Sequence, residues 1–276
     1  MRIPQRKLGK TGVNVTIMGL GGEGVLRTFG HEKEAERLIN SAIDLGINYF
    51  ESARAYSGSE SYYGIALKGR RKDIFLTSKS HARDRKGAIA HLQTTLRNMK
   101  TDHLDLWQVH DVRTEDEIDE IFGKGGAIEA FIEAKEKGLT RFIGVTGHHD
   151  PAIIRKCLER FDFDTVLIPV NPAEPHYKSF VSHVIPFAAE KQIGIIAMKV
   201  YLRGLAAQIN PTGLQHFYRY ALSYSVSTAV IGCDTVEQLE ENVRFASSFT
   251  PMSPEEQKLL SEKLSPMARR LMYYKP

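Results

Sequence analysis

Four separated segments of this 276-residue chain begin as short, largely apolar runs and end at a side chain that can move or steer a proton. They are residues 49–56, with Glu51 and Tyr56; 75–79, ending at Lys79; 104–110, ending at His110; and 142–146, ending at Thr146. A free phenol has a pKa of about 10 and is a poor acid at neutral pH. A neighbouring ammonium favours the phenolate and lowers that value, and a carboxylate beside the ammonium keeps it charged and oriented. An imidazole can orient a carbonyl oxygen or share the proton. Tyr56, Lys79, Glu51 and His110 could together protonate the alkoxide that forms when hydride adds to a carbonyl. General acid catalysis of this kind contributes about 10²–10⁴-fold. No side chain supplies hydride, so a cofactor is implied.

These side chains meet only if their segments are parallel strands that end on one rim. β-type runs occur near 15–19, 49–52, 74–79, 103–109, 142–146, 165–168, 193–198 and 228–231. Between them lie apolar stripes at helical spacing: Ala35, Leu38, Ile39, Ala42 and Ile43; Ile89, Leu92, Leu96 and Met99; Ile128, Phe131, Ile132 and Ala134. Each parallel pair needs a crossover, so eight strands alternating with helices predict an α/β fold, a (β/α)8 TIM barrel. Active sites of such barrels sit at the carboxyl ends of the strands. The Gly-rich turn within residues 6–15 predicts an N-terminal β-hairpin that plugs the bottom. Ser253, Pro254, Glu255 and Glu256 predict the start of an extra C-terminal helix reaching Leu264. No linker or low-complexity tract interrupts residues 1–276, which read as a single domain.

Composition is that of a soluble globular chain, 42% hydrophobic and 25% charged. With 37 basic and 33 acidic residues interspersed, the formal charge of +4 does not suggest a nucleic-acid partner. No apolar run approaches the roughly 18 residues that span a membrane, and no apolar segment follows the basic N-terminus. The expectation is a cytoplasmic protein with no membrane partner; its oligomeric state is not legible. The two cysteines, Cys157 and Cys233, fit a reducing compartment.

The ordered motifs resemble those of the aldo-keto reductases. They are Asn48 to Ala53 with Tyr56, then Ser59, Glu60, Gly64, Ala66 and Leu67; Thr77, Ser78 and Lys79; Asp102 to Leu106 with Val109 and His110; Ile143 to Thr146; and Ile231, Gly232 and Glu237 to Asn242. The resemblance implies a nicotinamide cofactor lying over the barrel rim and an Asp-Tyr-Lys-His tetrad. Tyr56 would be the general acid, Lys79 its tuning cation and His110 the orienting imidazole. Glu51 stands where the family has aspartate, one methylene longer.

Gly21 and Gly22, at the end of the first strand, suit close backbone approach to a ligand. The same resemblance assigns further cofactor contacts: Thr146 matches the carboxamide contact, and Met198 replaces a stacking aromatic. Gly147 and Leu167 stand where asparagine and glutamine are common in the family. Lys199, Arg203 and Gly204 would track the pyrophosphate. Gly232, Cys233, Asp234, Gln238, Glu241 and Asn242 would form the adenosine end. Gln238 and Cys233 stand where NADP-using members often carry arginine and lysine. NADP(H) is therefore the family expectation and NAD(H) a rival.

Two other classes fit these residues. One is a Schiff-base lyase using Lys79; the other is a reductase-like protein that binds cofactor with little turnover. His148, His149 and Asp150 with His110 and Asp111 look superficially like metal ligands. The His-x-His expected on the first strand of metal-dependent barrel hydrolases is absent, so no metal is assigned. The short tail after Leu264 suggests an open pocket and a small-molecule carbonyl substrate.

Overall fold

The computed structural model describes residues 2–210 and 213–276. Strands β1 (Gln5–Lys7) and β2 (Asn14–Thr16) form an antiparallel hairpin. Eight parallel strands follow: β3 (Met18–Gly24), β4 (Tyr49–Glu51), β5 (Phe75–Ser80), β6 (Leu104–Val109), β7 (Thr140–Thr146), β8 (Thr165–Pro169), β9 (Gly194–Met198) and β10 (Thr228–Cys233). They close in that order, β10 pairing with both β9 and β3. The expected TIM barrel with its hairpin is present. No helix among the described residues is long and apolar enough to cross a membrane.

The hairpin stoppers the barrel. Leu8 and Val15 are fully buried in a cluster with Tyr49, Phe75, Leu106, Leu167, Ile196 and Val230, which come from six barrel strands. Gly9 makes this seat possible: any side chain there would collide with the backbone of Gln192 and Gly194. Leu8 is thus an apolar plug at the end remote from the rim.

Two expectations need correction. The run 15–19 was read as one barrel strand, but the chain turns at Ile17. Residues 15–16 pair with β1, while the Thr16 hydroxyl donates to Met18 O at 2.7 Å across the corner. The barrel strand then continues through Gly19, Gly21, Gly22 and Gly24, because β10 packs too closely for side chains on part of this run. Ile132, assigned to a core stripe, is exposed. The helix Ala127–Glu136 turns Ala127, Ile128, Ala130, Phe131 and Ala134 inward instead, leaving residue 132 at the edge of that face.

The C-terminal helix Pro254–Leu264 starts with a capping box between Ser253 and Glu256. Beyond it the tail folds back and buries Met272, Tyr274 and Lys275. Lys275 Nζ donates to Glu174 Oε1 at 2.8 Å and to the carbonyls of Tyr177 and Lys178 at 2.9 Å. Both charged side chains are inaccessible to solvent. This clamp lays the Tyr274 ring edge-on to His148, 5.7 Å between centroids, with Lys199 Nζ 5.0 Å from its centre. Removing one partner of a buried pair strands the other charge, so Lys275→Met should lower unfolding free energy by about 3–5 kcal/mol. Urea melts that change by less than about 1 kcal/mol would show that the tail does not belong to the cooperative unit.

Candidate active site

The strand ends bring the four sequence-selected side chains to one place. Glu51 is the last residue of β4, and the following segment stays paired with β5: Ser52 N donates to Thr77 O and Arg54 N to Lys79 O, both at 3.0 Å. That pairing carries Tyr56 over Lys79. Glu60, buried in the next helix (Ser59–Ala66), ties the loop down. It pairs with Arg54 and accepts hydrogen bonds from Ser78 at 2.9 Å, Thr95 at 2.6 Å and Asn98 at 3.2 Å.

Lys79 is the centre of the set. Its Nζ contacts the Glu51 carboxylate and donates to Ser52 O at 2.9 Å and Tyr56 Oη at 3.3 Å. The extra methylene of Glu51 has a use. Its Oε2 accepts from Gly22 N at 2.7 Å, so one carboxylate links Lys79 on β5 to the backbone of β3. His110 follows β6, with its N–H on Ser80 O at 2.9 Å and its ring edge-on to Tyr56, 5.8 Å between centroids. Arg83 fixes this backbone, donating to His110 O and Asp111 O at 2.9 and 2.8 Å.

Burial sets the protonation states. It raises the Tyr56 phenol well above its ordinary value, and Glu23 and Asp111 add to the rise while Arg27 and Arg203 oppose it. The sequence led us to expect a lowered value; desolvation outweighs the neighbouring charges. Burial pushes Lys79 down, Glu23 opposes the fall, and Lys199 and Arg27 add to it. The Glu51 carboxylate in contact favours the charged form. Burial and the Lys79 charge hold His110 well below the usual histidine range, hence neutral at physiological pH.

These residues border a cavity of about 440 Å³ that also includes Thr146, Met198, Lys199 and Arg203. Thr146 Oγ1 accepts from Asp111 N at 2.8 Å, which leaves its own proton free to donate. Lys199 is pressed down to about 8, first by burial and then by Arg203. Neither Lys199 nor Arg203 has a carboxylate partner among the described residues, whereas Arg27, Arg83 and Arg113 each have one. Two unneutralised cations beside Gly204 suit a pyrophosphate.

Other sequence-selected positions are placed differently. The space beside Gly21 is filled by the backbone of Ile231 and Gly232, and a Cβ on Gly22 would lie 2.7 Å from the Tyr56 ring. Their lack of side chains serves internal packing rather than an open approach. The Cys233 thiol is buried and faces Asn242 Nδ2 at 3.8 Å. Asn242 is likewise engaged, donating to Gln238 O at 2.8 Å and accepting from Tyr201 Oη at 2.6 Å. Gly232, Asp234 and Gln238 are exposed, and Glu241 is half-buried. Of the six positions assigned to the adenosine, these four keep an accessible face, although Gln238 Oε1 accepts from Asp234 N at 2.8 Å.

Of the residues that looked like metal ligands in the sequence, Asp111, His148 and His149 present ligand atoms within 4.8 Å of one another. Arg113 already holds the other Asp111 oxygen at 2.6 and 2.8 Å. Burial, Lys199, His149, Arg113 and Arg203 push His148 down to about 2, so the surroundings repel positive charge. Sequence reading gave no role to Arg27, Arg83 or Tyr274, and quoted Glu60 only as part of a motif; only Glu60 carried a signal, its place in that motif.

The sequence pattern of the Aldo/keto reductase family matches residues 17–218. The oxidoreductase YqkF of Bacillus subtilis (strain 168) is 26% identical, over 88% of this chain and 91% of that one. L-Galactose dehydrogenase of Arabidopsis thaliana is also 26% identical, over 94% and 92%. Among solved structures, the holo form of aldo-keto reductase AKR11C1 from Bacillus halodurans superposes with a TM-score of 0.79 at 24% identity, over 95% and 96% of the two chains. An aldo-keto reductase from Klebsiella pneumoniae in complex with NADPH gives 0.76 at 18%, over 96% of each, a likeness of fold. The family pattern covers seven of the eight barrel strands and every member of the Glu51, Tyr56, Lys79 and His110 set, and this chain belongs to the aldo-keto reductase family.

Proposed function

We propose that the protein reduces an aldehyde or ketone to an alcohol, with Tyr56 as general acid. The observation that carries this reading is the Tyr56 Oη to Lys79 Nζ contact of 3.3 Å, with the Glu51 carboxylate behind the ammonium. A bound nicotinamide cofactor would supply the hydride. Lys199, Arg203 and Gly204 would hold its pyrophosphate, Thr146 and Met198 its nicotinamide, and the exposed Gly232, Asp234, Gln238 and Glu241 its adenosine end. The two unpaired cations on the cavity wall support that fit.

The protein's part is to hold and release one proton. Burial keeps the Tyr56 hydroxyl protonated at neutral pH. Lys79 donates to its oxygen, which leaves the phenolic proton free to point into the cavity. Neutral His110 offers a ring N–H to the same carbonyl oxygen. As that oxygen gains negative charge, the proton passes from Tyr56 Oη to it, and the phenolate left behind is stabilised by Lys79. The ammonium is clamped by Glu51 and Ser52 O, which makes it a poor free nucleophile and disfavours the Schiff-base alternative. Glu23, Arg83, Arg113 and Glu117 line the cavity with few apolar groups. Such a lining suits a small hydroxylated carbonyl, and the L-galactose dehydrogenase relative supports a sugar-sized member of that class.

Tyr56→Phe should lower carbonyl reduction by about 10²–10⁴-fold while NADPH still binds, read by cofactor fluorescence. Undiminished turnover would overturn the assignment. Glu51→Asp cannot reach both Lys79 and Gly22; losing a charge-assisted hydrogen bond should cost about 1.5–3 kcal/mol of stability and lower kcat. A rise in kcat would mean that the glutamate hinders catalysis. For the cofactor we expect NADP(H), with NAD(H) as a competing partner. Gln238 and buried Cys233 offer no cation to a 2′-phosphate, so titrations should show NADPH preferred by less than about a hundredfold. A larger ratio would locate a cationic phosphate site elsewhere.

A further inference from the structure

Two cations, not one, lie against the Tyr56 ring. Lys79 Nζ is 4.5 Å from its centroid, and Arg27 Cζ is 4.8 Å from it. Arg27 closes the short 3-10 turn Val25–Arg27 that follows β3, and its Nη1 donates to Glu23 Oε1 at 2.7 Å. The arginine itself is exposed, but the turn that carries it is packed down. Val25 and Leu26 are buried beside it, and the Thr28 hydroxyl closes the turn on Val25 O at 2.6 Å. Gly24 adopts φ 71° and rests on the Cys233 backbone. Thr28 O in turn packs so tightly on Gly58 that no side chain would fit there. The arginine turn and the tyrosine loop therefore interlock two residues from the phenol.

We infer that Arg27, restrained by Glu23, is a second positioning cation for Tyr56 and sets, with Lys79, how readily the phenol gives up its proton. The inference rests on Tyr56 being the general acid. A guanidinium near an aromatic face is attracted by the ring quadrupole. Once the proton leaves, negative charge spreads into the ring and the attraction strengthens, so Arg27 favours the phenolate over the phenol. Glu23 works against it, both by pairing with Arg27 and by its own charge. The other charged or titratable groups facing the phenol's cavity include Lys79 and its partner Glu51, His81, Arg83, His110, Asp111, Arg113, Glu117, His148, Lys199 and Arg203. None of these pairs with Arg27. The directions agree: Glu23 raises the Tyr56 pKa and Arg27 lowers it.

The test reads the phenol directly, without turnover. A ring-fluorinated tyrosine installed at position 56 titrates at lower pH than tyrosine, and fluorine NMR follows it. We expect Arg27→Met to move that titration up by about half a pH unit or more and Glu23→Gln to move it down. Opposite shifts from two neighbours are not produced by loosened packing. Arg27→Lys should recover part of the shift. Unmoved titrations, or shifts of the same sign in both variants, would sink the inference. A raised KM for Arg27→Met with an unchanged titration would overturn it too, by making Arg27 a substrate contact. The general-acid reading is judged separately, by turnover of Tyr56→Phe.

Discussion

The structure is organised around one buried ammonium. Lys79 is enclosed by protein, and an isolated charge in that position would be prohibitively costly. It survives because Glu51, Ser52 O and Tyr56 Oη surround it. Those partners come from three places: the end of β4, the segment beyond it and the tyrosine loop. Each must be held, and each is. Ser52 and Arg54 stay paired to β5, Glu60 anchors the loop through four partners, and Gly22 receives the free oxygen of Glu51. Satisfying one charge thus dictates the shape of the rim at the strand ends.

The same logic separates the two halves of the cavity. On the Tyr56 side, cations and carboxylates are matched, Arg27 with Glu23 and Arg113 with Asp111. On the Met198 side, Lys199 and Arg203 are not matched among the described residues. A polar, neutralised half beside an electropositive half is what an uncharged carbonyl lying next to a diphosphate would need. Tyr274 closes the boundary, touching His148 on one side and Lys199 on the other.

Much of this was legible in the sequence. Apolar runs of four to six residues ending in polar side chains marked the strands, because a strand buried on both faces has few places for polarity except its end. The spacing of Tyr56 from Glu51, and of Lys79 and His110 from their runs, then marked the site. What remained hidden depended on contacts between distant segments. Gly19 to Gly24 read as turn or ligand approach, since glycines carry no periodic signal; only the closeness of Gly232 and Tyr56 shows why side chains are missing there. Lys275 carried no signal in the sequence because its partner Glu174 is 101 residues away. The Tyr56 acidity was misjudged in sign because the depth of burial, unlike the neighbour's charge, cannot be read from residue types.

The reach of Glu51 has a consequence for motion. Its carboxylate joins β3 to β5 across β4, so it acts as a cross-brace in the wall of the barrel as well as a partner for Lys79. An opening that released the Lys79 amine would also unfasten the Gly22 amide, a backbone group inside a strand of the closed sheet. Fluctuations small enough to leave the barrel intact therefore cannot disorder the contacts around Lys79 on their own. Conformational freedom for admitting ligands is left to the outer loops, which can move without disturbing the brace.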